Sequence, residues 1–105
     1  MRAARYHGRE NIQVEDIENQ TLSPEQVRLT VDTGGICGSD LHEYTAGPIF
    51  VPGESPHPVT KQTAPVTMGH EFSGTITAVG DAVTSRSVGE NVAVNPILHC
   101  GECQY

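Results

Sequence analysis

Between Thr45 and Thr67 the chain carries Pro48, Pro52, Pro56, Pro58 and Pro65, with Gly47 and Gly53 among them. Proline lacks the amide hydrogen that helices and ladders need, so no regular element crosses this stretch. Structureless loops longer than about 12–15 residues are uncommon in compact domains and are either functional or disordered. Ile49, Phe50 and Val51 would be costly to leave in water, which predicts an ordered loop. With 105 residues, the chain is one small domain or a piece of one.

The segments around the loop read as short strands. Met1 to Tyr6 and Asn11 to Ile17 are β-compatible, with a turn expected at Gly8. Gln26 to Thr33 alternates cleanly: Val27, Leu29 and Val31 face one way, Arg28, Thr30 and Asp32 the other. Glu71 to Val79 alternates again, with Phe72, Gly74, Ile76 and Ala78 on one face. Asn91 to Val94 is a last strand, ended by Pro96. The run Ile36 to Tyr44 predicts one or two helical turns, capped by Ser39 or Asp40, with capping-box spacing from Asp40 to Glu43. Eleven Gly, seven Pro and only 36% apolar residues argue against a helix bundle. The expected fold is mainly β: a small, partly open barrel with one short helix. Aromatic residues make up 5% and Trp is absent, so large core pieces are scarce. A metal, a partner surface or further chain is expected to supplement the core.

Charge removes two classes of function. Six Lys and Arg against thirteen Asp and Glu give a formal charge of −7. Without a Lys/Arg block the chain is a poor partner for nucleic acid or an anionic membrane surface. No apolar run approaches the ~18–20 residues of a membrane span. Met1-Arg2-Ala3-Ala4-Arg5-Tyr6 has no apolar core behind its positive charges and is not a secretory signal. The expected compartment is the cytoplasm. The three cysteines, Cys37, Cys100 and Cys103, are an odd number without a signal peptide and do not read as a disulfide framework.

Three groups of residues could carry chemistry. Cys37, in a Gly-rich turn past a strand, and His70-Glu71, where the loop re-enters a strand, supply soft, intermediate and hard zinc donors. Three protein donors with an open position would make a catalytic-type site. The plainer alternatives are a small buried cysteine and an exposed polar edge, and spacing alone does not show convergence. Ser39 and His42 stand one helical turn apart and could pass a proton; otherwise Ser39 caps the helix and His42 is a surface residue. Cys100-Gly101-Glu102-Cys103 lets two thiolates approach one tetrahedral metal, as half of a four-ligand site.

Four strings, in order, resemble the N-terminal part of the zinc-dependent medium-chain alcohol dehydrogenases. They are Gly35-Ile36-Cys37-Gly38-Ser39-Asp40-Leu41-His42, Gly69-His70-Glu71-Phe72-Ser73-Gly74, Val79-Gly80 with Val88-Gly89-Glu90-Asn91-Val92, and Cys100-Gly101-Glu102-Cys103. The loop with Gly47-Pro48-Ile49-Phe50 and His57-Pro58 resembles the branch of 2,3-butanediol and sorbitol dehydrogenases. The resemblance implies a GroES-like barrel in which Cys37 and His70 ligate a catalytic zinc. Glu71 would be a further ligand or lie just behind the metal. Asp40 would hold the His70 ring. Ser39 would take the substrate proton, and His42 would carry it towards solvent by way of the cofactor ribose. Cys100 and Cys103 would be half of a structural zinc site. The implied activity is oxidation of a secondary alcohol or vicinal diol, with hydride passing to NAD or NADP. The parent would be a homo-oligomer acting on a small molecule.

The sequence departs from the family in having Glu90 where Asp is usual. It also holds no G-x-G-x-x-G after a strand, so residues 1–105 are expected to be the N-terminal part of the catalytic domain, with no Rossmann domain and no turnover of their own. Two rival readings remain at this point. One is a zinc-binding GroES-like module without catalysis. The other is a zinc-free quinone-reductase relative sharing the barrel, against which Cys37 and His70-Glu71 argue.

Overall fold

A computed structural model describes residues 1–97, 99, 101 and 102. Cys100 and Cys103, the two proposed structural ligands, lie outside the described residues. Seven elements follow in chain order: β1 (Arg2–Gly8), β2 (Asn11–Asp16), β3 (Val27–Gly34), α1 (Gly38–Ala46), β4 (Val66–Thr67), β5 (Phe72–Val79) and β6 (Asn91–Ala93). They form two open three-stranded sheets, ordered β2-β1-β4 and β3-β5-β6. This is the mainly-β, single-helix fold expected from the strand pattern.

Local differences have local causes. β1 runs on through Gly8, and the turn falls at Arg9-Glu10, with Glu10 at φ 55°. The alternation of β3 does not produce a buried face. Its pairing with β5 slips between Arg28 and Leu29 and again between Val31 and Thr33. The first slip leaves Thr77 of β5 unmatched and the second leaves Asp32 of β3 unmatched; Val27 and Val31 are exposed while Leu29 is half-buried.

β5 turns the middle of its expected face inward. Gly74 and Ile76 are buried, and Gly74 must be glycine because a Cβ there would strike the Thr30 carbonyl and the Leu29 side chain of β3. Among the described residues the buried apolar set is Ala3, Tyr6 and Ile76, the thin core that the composition predicts.

The helix is fixed at both ends. Its N-cap is Cys37, not Ser39 or Asp40: the Asp40 carboxylate accepts the Cys37 N–H at 3.0 Å. The box therefore spans Cys37 to Asp40, one turn earlier than Asp40 to Glu43. At the other end Arg9 donates to the carbonyls of Ala46 and Gly47, both at 3.3 Å, satisfying groups that a helix C-terminus leaves open. Fully buried Tyr6 donates from its hydroxyl to the Glu43 carbonyl at 3.1 Å. Gly47 sits in the angle between these groups. A Cβ on Gly47 would collide with the Glu43 carbonyl and carboxylate and the Tyr6 hydroxyl. Gly47→Ala should lower stability by about 2 kcal/mol through overpacking, read as a fall in Tm.

The long loop is ordered, as predicted, but for a different reason. Phe50 is 76% exposed and Ile49 is 51% exposed, so apolar burial does not hold this part of it. Instead the buried Glu43 carboxylate accepts the N–H groups of Ile49, Phe50 and Val51. The chain then rejoins the first sheet at β4, beside β1, and crosses to the second through Met68–Glu71.

Candidate metal centre

Antiparallel register brings the donors together. In the β3–β5 pair Gly34 stands opposite Phe72, so the residues leaving β3 lie beside those entering β5. The Gly35 N–H donates to the Glu71 carbonyl at 2.6 Å and ties the two segments past the end of the ladder. Cys37 follows Gly35, and His70 precedes Glu71, 33 positions further along the sequence. One ligand atom from each of Cys37, His70 and Glu71 lies within 4.8 Å of the others. Cys37 and His70 are half-buried and Glu71 is exposed.

Asp40 serves both the helix and the ring. One carboxylate oxygen accepts the Cys37 N–H, and the other lies 3.5 Å from His70 Nδ1. A carboxylate on one ring nitrogen orients the imidazole and leaves the other nitrogen for a ligand. That second nitrogen, Nε2, lies 3.4 Å from Ser39 Oγ. Hydrogen bonds from the Ser39 backbone, then from its hydroxyl and the His70 ring, hold the Cys37 thiol below its ordinary pKa; partial burial and the Glu71 carboxylate oppose them. His70 is raised, first by its hydrogen bond with Cys37 and then by the charge of Asp40, against desolvation. A bound cation would take the place of the protons on these donors.

Thiolate sulfur, imidazole nitrogen and carboxylate oxygen are all zinc donors, and their convergence fits a zinc ion with a coordination position open to substrate. Beside them lies a cavity of about 350 Å³ lined in part by Ser39, His70, Phe50, Val51 and Met68. A second concavity, of about 410 Å³, lies at Asp32, Ser73 and Asn91 and holds none of these donors.

The sequence reading missed Glu43 and Tyr6. A glutamate six to eight residues before an apolar loop has the reach to accept its amides, but nothing in the spacing says that it turns inward. His42 is exposed on α1, and among the described residues no hydrogen bond joins it to Ser39.

The family profile described as an alcohol dehydrogenase GroES-like domain matches residues 23–105. The chain belongs to this family. It is 54% identical over 98 residues to an (R,R)-butanediol dehydrogenase of Bacillus subtilis, a match covering 93% of the chain and 28% of that protein. It is 39% identical over 104 residues to a sorbitol dehydrogenase of the same organism, covering 99% of the chain and 27% of that protein. The crystal structure of 2R,3R-butanediol dehydrogenase from Bacillus subtilis superposes with a TM-score of 0.84 at 53% identity, over 89% of this chain and 27% of that one. This GroES-like chain thus spans a little over a quarter of the length of the relatives it matches. Among the described residues no helix is long and apolar enough to cross a membrane.

Proposed function

We propose that the chain is the metal-binding part of the catalytic domain of a zinc-dependent oxidoreductase acting on secondary alcohols or vicinal diols such as 2,3-butanediol. One observation carries the reading: Cys37, His70 and Glu71, from two segments far apart in sequence, present donor atoms within 4.8 Å of one another. The likeness to butanediol and sorbitol dehydrogenases supports the substrate class. Cys37 and His70 hold the zinc, with Glu71 as third donor or close behind. Bound there, zinc is a Lewis acid that lowers the pKa of an alcohol oxygen.

The other steps belong to the chain's own residues. The Asp40 carboxylate fixes the ring of His70. Ser39 Oγ, at the cavity wall, accepts the substrate hydroxyl proton while giving up its own. His42, one turn further along α1 and exposed, would pass that proton towards solvent. The hydride acceptor would be a nicotinamide, NAD or NADP, for which these 105 residues contain no G-x-G-x-x-G. Residues 1–105 alone therefore oxidise no alcohol. Cys100 and Cys103 would give half of a structural zinc site. The working compartment would be the cytoplasm, where thiol ligands stay reduced, and the active form a homo-oligomer.

The test is zinc stoichiometry and NAD(P)-dependent oxidation of 2,3-butanediol by the full-length protein, with and without Cys37→Ser. The reading requires turnover and a zinc ion at Cys37 in the parent, and loss of turnover and of that one equivalent of zinc in the variant. Turnover that survives with the zinc removed contradicts it.

Asp40→Asn provides a graded check. It keeps the shape but weakens both the hold on His70 and the helix cap. Zinc affinity should fall about 10–100-fold, the range for partners standing behind a metal ligand, measured by competition with a chelator.

A further inference from the structure

Glu43 has no part in the chemistry proposed above, yet it is 3% exposed on a helix whose other side chains are mostly open to solvent. Among the described residues its carboxylate forms no ion pair. Its oxygens accept three consecutive backbone N–H groups: Ile49 at 2.9 Å on Oε2, and Phe50 and Val51 on Oε1, the latter at 3.1 Å. Consecutive amides turned to one side make a nest for an anion, and here the anion is the chain's own side chain. Burial pushes the carboxylate up, but the three amides more than offset it and hold it below the usual range.

The clamp acts on one face of the cavity. Phe50, Val51 and Pro52 line the same 350 Å³ space as Ser39, His70 and Glu43 itself. Phe50, being 76% exposed, is not kept there by burial, and its backbone is kept there by Glu43. A lining that mixes hydrocarbon from Phe50, Val51, Pro52 and Met68 with the polar groups of Ser39, His70 and Gln62 suits a short alkyl arm beside a reacting hydroxyl.

We propose that Glu43 is a positioning residue which, through the amides of residues 49–51, sets Phe50 and Val51 as the size-limiting wall of the substrate cavity. The site therefore favours secondary alcohols and vicinal diols with short alkyl arms over longer ones. This deepens the functional reading above and rests on it.

The experiment compares kcat/KM for 2,3-butanediol and 3,4-hexanediol in the full-length protein, alongside zinc content and amide exchange at residues 49–51. The wild type should show slow exchange there and prefer the smaller diol by about 100-fold, within the range for added methylenes in a fitted pocket. Glu43→Gln still offers an oxygen to Phe50 and Val51 but turns its NH2 towards Ile49. Glu43→Gln and Phe50→Ala should each cut the preference about tenfold with zinc content unchanged, and Glu43→Gln should also speed exchange.

A merely structural role would lower both substrates in parallel and leave the ratio alone, which overturns the proposal. So does an unchanged ratio in Phe50→Ala. If Glu43→Gln does not fold, rapid exchange at 49–51 in the wild type still sinks the clamp, and slow exchange with a relaxed ratio in Phe50→Ala supports it. A wild type without zinc, or one that oxidises neither diol, overturns the functional reading and this inference with it. A zinc-loaded, active wild type with unaltered ratios in the variants overturns this inference alone.

Discussion

Cys37→Ala should lower zinc affinity by more than about 100-fold, beyond the range for residues that merely support a ligand. The thiolate is the softest donor of the three and gives zinc its short sulfur bond. It also stands where the helix begins, so its backbone is held by Asp40 whatever its side chain. Alanine therefore removes the donor and the thiol's half of the capping box, while the Asp40 half stays in place. The variant should fold and retain its secondary structure by circular dichroism while losing metal to a chelator that leaves the wild type loaded. Alcohol oxidation by the full-length protein should fall with it. An unfolded variant would instead mean that Cys37 serves packing first.

The largest stability effect should come from Ile76→Ala. Ile76 is 1% exposed and is one of three buried apolar residues among those described. Truncating a buried isoleucine removes its transfer free energy and leaves a cavity, for a cost of about 2–5 kcal/mol. Bulged β3 cannot close the gap easily, because Gly74, next but one along β5, is already in close contact with the Thr30 carbonyl. A domain holds only about 5–15 kcal/mol in total, so a loss near 3 kcal/mol is a large share. The urea midpoint should drop by roughly 1.5–3 M for a slope of about 1–2 kcal/mol per M. A shift below about 0.5 M would show that Ile76 is not at the centre of the packing.

How much of this was legible beforehand differs from element to element. β5 was readable because Phe72, Gly74, Ile76 and Ala78 alternate in the sequence, and Gly74 and Ile76 are buried in the structure although the pairing skips Thr77. β3 has an equally clean pattern, yet Val27 and Val31 are exposed, and its pairing with β5 slips twice. Such slips depend on the partner strand and leave no mark in β3 itself. The helix was visible from Ser39 to Tyr44, but its cap was misplaced because cysteine is not an ordinary cap residue. What ends the coil there is Asp40 reaching back to the Cys37 N–H.

The candidate site was legible in its donors and not in their meeting. Cys37 and His70-Glu71 could be picked out by type, but only the pairing of Gly34 with Phe72 across the long loop makes them neighbours. That register is a tertiary fact. The loop shows the opposite failure. Its order was foreseen from Ile49, Phe50 and Val51 as apolar residues, while the actual restraint is their backbone amides on a buried carboxylate. Hydrophobicity scales do not record where an amide points.

The most direct test of the account is a crystal structure of the full-length protein with anomalous diffraction recorded across the zinc absorption edge. A single anomalous peak about 2.3 Å from Cys37 Sγ and about 2.1 Å from a ring nitrogen of His70 is the expected result. The distance from that peak to the Glu71 carboxylate then shows whether this residue is a ligand or stands behind the metal. A zinc-replete crystal with no peak between Cys37 and His70 would contradict the claim that these residues hold the ion.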